Sequence, residues 1–303
     1  IRVLIVVTRV IKEFIKLESM AGAVLMVAAV LALIIDNTHW ALYYHWMFNQ
    51  KITVPLGLFT LSKPLLLWIN EGLMTVFFLL VGLEIKRELV EGELNTIDKA
   101  LLPAVAALGG IVVPALIYYF INHNDPIAMR GWAIPIATDI AFSLGILSLL
   151  GSRISPTVKV FLMALAIFDD LVAVIIIAVF YTDHISILFL LLSCLLCLFL
   201  LILNRLHVKA LTPYVIVSFI IWACVLKSGV HATLTGIVLA AAIPLRITKK
   251  NKIKPISPAK DLERRLHPWV AFMVVPIFAF ANSGVSFIGL HPSHFVTPIT
   301  LGI

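Results

Sequence analysis

Leu165-Ala-Ile-Phe-Asp-Asp-Leu-Val-Ala-Val174 sets two adjacent carboxylates, Asp169 and Asp170, in the middle of an apolar run from Val160 to Phe180. The run has spanning length for a bilayer helix, which takes about 20 residues. On the insertion scale each aspartate at such a depth costs about 2.5 to 3.5 kcal/mol, while each Leu, Ile, Val or Phe contributes about 0.3 to 0.6. The run holds 14 such apolar residues, so the two contributions nearly cancel. A segment that cancels its hydrophobic gain with two carboxylates is a functional-site hypothesis, with ion or proton handling the leading use.

The whole chain shares this character. Of its 303 residues 61% are hydrophobic and 13% charged, whereas soluble domains are nearer half apolar. The composition is that of a polytopic membrane protein. A net charge of +7 does not point to nucleic acid, because the basic residues sit in short loops between apolar runs. Arg2 to Lys16 form a basic amphipathic lead-in without a small-residue cleavage site. The sequence starts at Ile1 and stops at Ile303 just after a further apolar run opens at Pro298, which leads us to expect a fragment. Cys194, Cys197 and Cys224 lie inside apolar runs, where thiols behave as small hydrophobes.

The apolar runs are Ser19 to Ile35, Pro64 to Leu83, Ala100 to Ile121, Gly131 to Leu150, Val158 to Tyr181, Ile185 to Leu203, Pro213 to Leu226, Ala232 to Leu245 and Pro268 to Phe287, nine spans and the start of a tenth. We read residues 1–303 as a single transmembrane domain. The seventh and eighth runs are short for a span, so they either lengthen into their flanks or sit against other helices. With loops assigned alternately to the two sides, the side of the N-terminus holds 19 of the 23 Lys and Arg residues. That asymmetry puts the N-terminus in the cytoplasm. The loop Asp36 to Lys63 then faces the other side. In it, two short β-prone runs flank Pro55-Leu56-Gly57, which reads as a hairpin over residues 51–61 or as an irregular loop.

Further polar groups interrupt the spans. In the fourth run, Pro135 removes a backbone donor, and Thr138 or Asp139 can cap a new half-helix. A broken helix of this kind survives in a membrane only when buried in protein or lining a cavity, and its ends bind ions. Desolvation and a neighbouring like charge favour the protonated form of a carboxylate. A small cation bound by ionised carboxylates therefore competes with protons, and competition becomes exchange if the site alternates its exposure. Asp169 and Asp170 point about 100° apart on a helix, so their jobs differ. Glu84 and Glu88 share one helical face at the end of the second run, with Lys86 and Arg87 between them. A solvated helix end with local ion pairs is the simpler reading there. Glu263, Arg264, Arg265 and His267 precede the ninth run, and His267 has a side chain that titrates near neutrality. His231 stands alone between two short spans and reads first as structural, while His291 and His294 give only a weak metal pattern.

With these residues assembled, the chain resembles the NhaA family of bacterial sodium-proton antiporters. The match is carried by Leu67-Trp-Ile-Asn-Glu-Gly-Leu, Val81-Gly-Leu-Glu-Ile-Lys-Arg-Glu-Leu, Ile136-Ala-Thr-Asp-Ile-Ala-Phe, Ala166-Ile-Phe-Asp-Asp-Leu, Leu226-Lys-Ser-Gly-Val-His-Ala-Thr-Leu, Leu266-His-Pro-Trp-Val-Ala and Phe278-Ala-Phe-Ala-Asn-Ser-Gly. The resemblance implies an all-α polytopic antiporter fold with broken helices, inverted repeats and a small periplasmic β-hairpin. It also implies electrogenic exchange of external protons for internal sodium or lithium, activation at alkaline pH, an inner-membrane location and a homodimer sealed by the hairpins. Asp170 is then the main cation ligand, Asp169 its neighbour in proton and cation handling, and Thr138 and Asp139 the broken-helix contribution. Glu84, Arg87, Glu88, Glu263 and His267 fall on the family's cytoplasmic pH-response region, and His231 on a position linked to pH dependence. The resemblance places a second broken helix and a lysine partner for Asp169 beyond Ile303. Glu71 stands where some relatives carry Asp, and Arg264 where His can stand.

The expected protein is a transporter rather than an enzyme, with sodium, lithium and protons as substrates, a lipid bilayer around it and no cofactor. A membrane-embedded prenyl or lipid transferase is the enzymatic alternative, since paired aspartates can hold magnesium and a diphosphate. Leu171 to Val179 carry no polar residue, which counts against that chemistry. A cation channel is the other rival, passing sodium downhill without moving protons.

Overall fold

The computed structural model describes residues 20–56, 59–92, 94–136, 154–180, 186–206, 208–246, 257–289, 291, 293 and 296–303. It is predominantly helical, with one two-stranded antiparallel sheet, as expected for an antiporter-type membrane fold. The helices are α1 (Met20–Asp36), α2 (Ala41–Asn49), α3 (Leu65–Glu91), α4 (Ile97–Asn122), α5 (Pro156–Phe180), α6 (Ile187–Arg205), α7 (Leu211–Ser228), α8 (Leu234–Ala242), α9 (residues 258–282) and α10 (Pro298–Gly302). The strands β1 (Lys51–Leu56) and β2 (Phe59–Pro64) lie between α2 and α3. Among the described residues, Leu65–Glu91, Ala100–Asn122, Ile187–Arg205 and Leu211–Ser228 are long and apolar enough to cross a membrane. On α6, Leu188, Leu191, Leu195 and Leu198 are exposed at helical spacing, a face whose natural solvent is lipid. The protein is a multi-pass membrane protein.

The elements depart from the apolar runs where polarity and helicity do not coincide. The second run ends at Leu83, yet α3 continues in helical geometry to Glu91 because its charged last turns find partners in the protein. Helix α9 begins ten residues before its apolar part, at Pro258. Ser257 caps it, its hydroxyl accepting the Lys260 N–H at 3.4 Å, and proline suits the first helical position because it has no N–H to leave unpaired. The loop Asp36 to Lys63 contains α2, set at 112° to α1. The eighth run yields only the nine residues of α8. Helices α3 and α9 each contain a π turn, Ile69–Leu73 and Val270–Val274, the second just after Pro268, whose missing N–H interrupts the ladder.

The hairpin forms as the paired β-prone runs foretold, with Lys51 opposite Pro64 and Thr53 opposite Ser62. Leu61 is buried in the same apolar cluster as Leu83, Trp222 and Ile243, and the Trp68 indole donates to Ile52 O at 3.2 Å, so the sheet is moored to the helices at its base.

The chain divides into two compact units. One contains α4, α5 and α10 with the short 3-10 turns Ala128–Gly131 and Ile134–Ile136. Its packing includes an Ile111, Ile136 and Ile176 cluster, and the Asn122 amide donates to Pro298 O at 3.1 Å. The other contains most of α1 together with α2, the hairpin, α3 up to Val90, and α6 to α9. At its centre is α3. Gly236 of α8 sits so close to the Thr75 carbonyl and Leu79 N of α3 that a Cβ would not fit, and Gly82 of α3 faces Ala240 in the same way. On another side α3 packs against α9 through Leu80, Val270 and Val274.

Candidate functional site

In the first unit the site is built on α5. Asp169 falls near the middle of this 25-residue helix and is only 4% exposed, among buried Ala164 and Ala166. A helix of that length is roughly 37 Å long, and Asp169, a little past its midpoint, is enclosed by protein. Asp170 follows on the same helix, and its side chain lies outside the described residues, as do Thr138 and Asp139. The approach to Thr138 is described as far as Ile136. There the fourth run forms a short 3-10 turn at Ile134–Ile136 containing Pro135, and Ile136 packs with Ile176, two turns along α5 from Asp169.

The second unit holds the other sequence candidates. Arg87, near the end of α3, reaches the Glu263 carboxylate of α9 at 2.9 Å and the neighbouring Glu88 at 2.8 Å. The structure thus brings Arg87, Glu88 and Glu263 together across two helices, where sequence alone favoured ion pairs local to α3. Burial raises Glu263 above the ordinary carboxylate range against the opposing pull of Arg87, and burial lowers His267 below the ordinary imidazole value. Both groups sit in the charged lead of α9, ahead of its apolar part. Glu84 is half-buried one turn before Glu88. Among the described residues Arg264 pairs with Asp261 at 3.1 Å on the exposed face, a contact of little energetic weight.

Two residues that the sequence reading names without a role each make several polar contacts in this unit. Glu71, in the π turn of α3, holds His231 Nδ1 at 3.1 Å and accepts the Ala232 N–H at 2.7 Å. Its main-chain carbonyl accepts the Trp222 indole N–H at 3.1 Å and the Thr75 hydroxyl. His231 is therefore not the solitary histidine it seems in sequence. A carboxylate inside the apolar run Pro64 to Leu83 was the available signal. Lys86 is the other: its ammonium donates to the carbonyls of Ala240, Ala241 and Ile243 at 3.3, 2.7 and 2.6 Å.

Comparison with known proteins bears on the family of the chain. The family model described as Na+/H+ antiporter 1 matches residues 12–303. The chain is 53% identical over 291 residues to Na(+)/H(+) antiporter NhaA 1 of Pseudomonas putida, covering 96% of this chain and 72% of that protein. It is 55% identical over 294 residues to Na(+)/H(+) antiporter NhaA of Rhodospirillum rubrum, covering 97% and 73%. Against Na(+)/H(+) antiporter NhaA of Haemophilus ducreyi it is 50% identical over 293 residues, again covering 97% and 73%. With a match that begins at residue 12 and takes in every segment described above, the chain belongs to the Na+/H+ antiporter 1 family.

Proposed function

We propose that the protein is a secondary antiporter that exports sodium, and lithium, in exchange for external protons, moving net charge as it does so. The observation that carries the reading is Asp169, a carboxylate 4% exposed near the middle of the 25-residue α5 in a chain of this family. Asp170 takes the cation, Asp169 shares proton and cation handling, and Thr138 and Asp139 supply polar groups from the facing break. Because the same oxygens serve both substrates, each ion drives the other off, and alternating exposure turns that rivalry into counter-movement. Residues 1–303 work as one transmembrane antiporter domain in the inner membrane, with the N-terminus on the cytoplasmic side as the Lys and Arg asymmetry supports. The same side carries Glu84, Arg87, Glu88, Glu263 and His267, which with His231 tune activity to pH. Edge-to-edge pairing of the 51–61 hairpins joins two copies.

The test is sodium-dependent proton movement in everted vesicles. Asp170→Asn abolishes it while the protein still inserts, and lowering the membrane potential changes the rate in wild type. Near-normal exchange by Asp170→Asn rejects the site assignment, and a sodium current without proton movement rejects antiport in favour of a channel.

A further inference from the structure

Helix α8 has nine residues, roughly 14 Å, less than half a bilayer's hydrocarbon thickness. It cannot reach water at both ends, so polar groups at one end or both need partners from the protein. At its C-terminal end the carbonyls of residues 240 to 245 are all bonded. Lys86 takes those of Ala240, Ala241 and Ile243. Asn204 donates to Ala242 O at 2.6 Å, the Ala259 N–H to Pro244 O at 3.3 Å, and the Ser257 hydroxyl to Leu245 O at 2.6 Å. At the other end, the Glu71 carboxylate receives the Ala232 N–H, two residues before the first turn of α8. Both charged groups come from α3, which runs parallel to α8. Each has the sign that the helix dipole attracts, an anion at the N-terminus and a cation at the C-terminus. Between them the two backbones meet at Gly236 and Gly82 with no room for a further Cβ.

We propose that Glu71 and Lys86 are positioning residues that clamp α8 at both ends, so that α3 and α8 move as one rigid body during the transport cycle. A glycine-lined contact fixes the distance between the helices but resists sliding weakly, since small surfaces offer few interlocking side chains. Charged bonds at both ends resist sliding in either direction. The movement that alternates access then takes place around this helix pair and not within it. Lys86 acts through α8 and touches no ion.

Hydrogen exchange of the complete chain in lipid nanodiscs, read over residues 234–243, tests the clamp. Lys86→Met accelerates exchange near residues 240–243 roughly tenfold or more, the scale of a lost charge-assisted bond. Glu71→Gln does so near residue 234, and Lys86→Arg, which keeps charge and donors, retains wild-type protection. Wild-type protection over α8 stays the same with and without sodium. In vesicles Lys86→Met lowers the maximal exchange rate and leaves the sodium KM within about twofold of wild type. Wild-type protection in Lys86→Met overturns the proposal, as does a changed sodium KM at unchanged maximal rate. If Lys86→Met fails to accumulate, Lys86→Gln replaces it, and equal protection in Lys86→Gln and Lys86→Arg overturns the clamp. The rate measurement rests on the antiport reading, whereas the hydrogen exchange does not. A chain that moves no sodium yet loses α8 protection in Lys86→Met upholds the clamp and rejects the transport assignment alone.

Discussion

A methyl group moved from one helix to the other offers a direct measurement of how tightly α3 and α8 are fitted. A Cβ added at Gly82 would lie 2.7 Å from the Cβ of Ala240 and 3.3 Å from the backbone of Ile237. The first contact is far inside normal van der Waals separation and the second is tight by a few tenths of an ångström. Gly82→Ala is therefore expected to lose about 1 to 3 kcal/mol to overpacking. Its gain in helix propensity, about 0.8 to 1 kcal/mol, offsets part of that. Ala240→Gly loses about 0.8 kcal/mol of buried methyl and a similar amount of propensity. Additive single effects would leave the double variant about 2 to 4 kcal/mol less stable than wild type. In the double variant, however, one methyl simply crosses the same gap, propensity gain and loss cancel, and only the Ile237 contact remains to be relieved. We expect it to unfold within about 1 kcal/mol of wild type, which in melting temperature is roughly 2 to 4 °C. Thermal unfolding in detergent, followed by loss of the monodisperse species, reads all four proteins, and Gly109→Ala, where the added Cβ meets nothing within 4 Å, serves as the control. A double variant that melts at the additive value refutes the close approach of Gly82 and Ala240.

Three further outcomes follow from burial. Burial raises Glu263 from its ordinary 4.5, so the stability it contributes is complete below that value and is lost as pH rises through the raised one; Glu263→Gln flattens the stability profile above about pH 4.5. Burial lowers His267 from its ordinary 6.5, so its contribution is present above that value and lost as pH falls through the lowered one; His267→Gln flattens the profile below about pH 6.5, and melting curves across pH 4 to 8 check both signs. Among the free thiols Cys194 is exposed and Cys224 is 3% exposed, so a membrane-permeant maleimide modifies Cys194 first, as mass spectrometry of the labelled chain would show, and the reverse order contradicts the placement of α6 and α7.

How much of this was legible in the sequence depends on the range of the interactions. Helices α4, α6 and α7 are written as continuous apolar runs, and the hairpin as two β-prone runs around Pro55-Leu56-Gly57, because burial in lipid and turn chemistry act locally. The start of α9 was also written locally, as Ser257 before Pro258, but hydropathy overlooks a charged amphipathic turn. The partners of Glu71 and Lys86 lie more than 150 residues away along the chain, so no window of sequence contains them. Lys86 looked like one charge among several at a solvated end, whereas its position beside a row of main-chain carbonyls of α8 decides what it does. The burial of Asp169 was legible in the opposite sense, since a carboxylate within an apolar run announces itself by its cost alone.

The two ends of the antiparallel pair α3 and α9 are joined by different chemistry. Near the π turn of α3, Asn70 and Asn282 exchange two amide hydrogen bonds, at 3.1 and 2.8 Å. At the far end stand Arg87 and Glu263. An amide pair carries no titrating proton, and the Asn282 amide is held one way round because it also donates to Phe278 O at 2.8 Å. It is indifferent to acidity, and it fixes only a separation. The carboxylate end has no such indifference. A change of acidity therefore acts on this helix pair as a load acts on a lever, with the asparagines as fulcrum and the arginine at the free end.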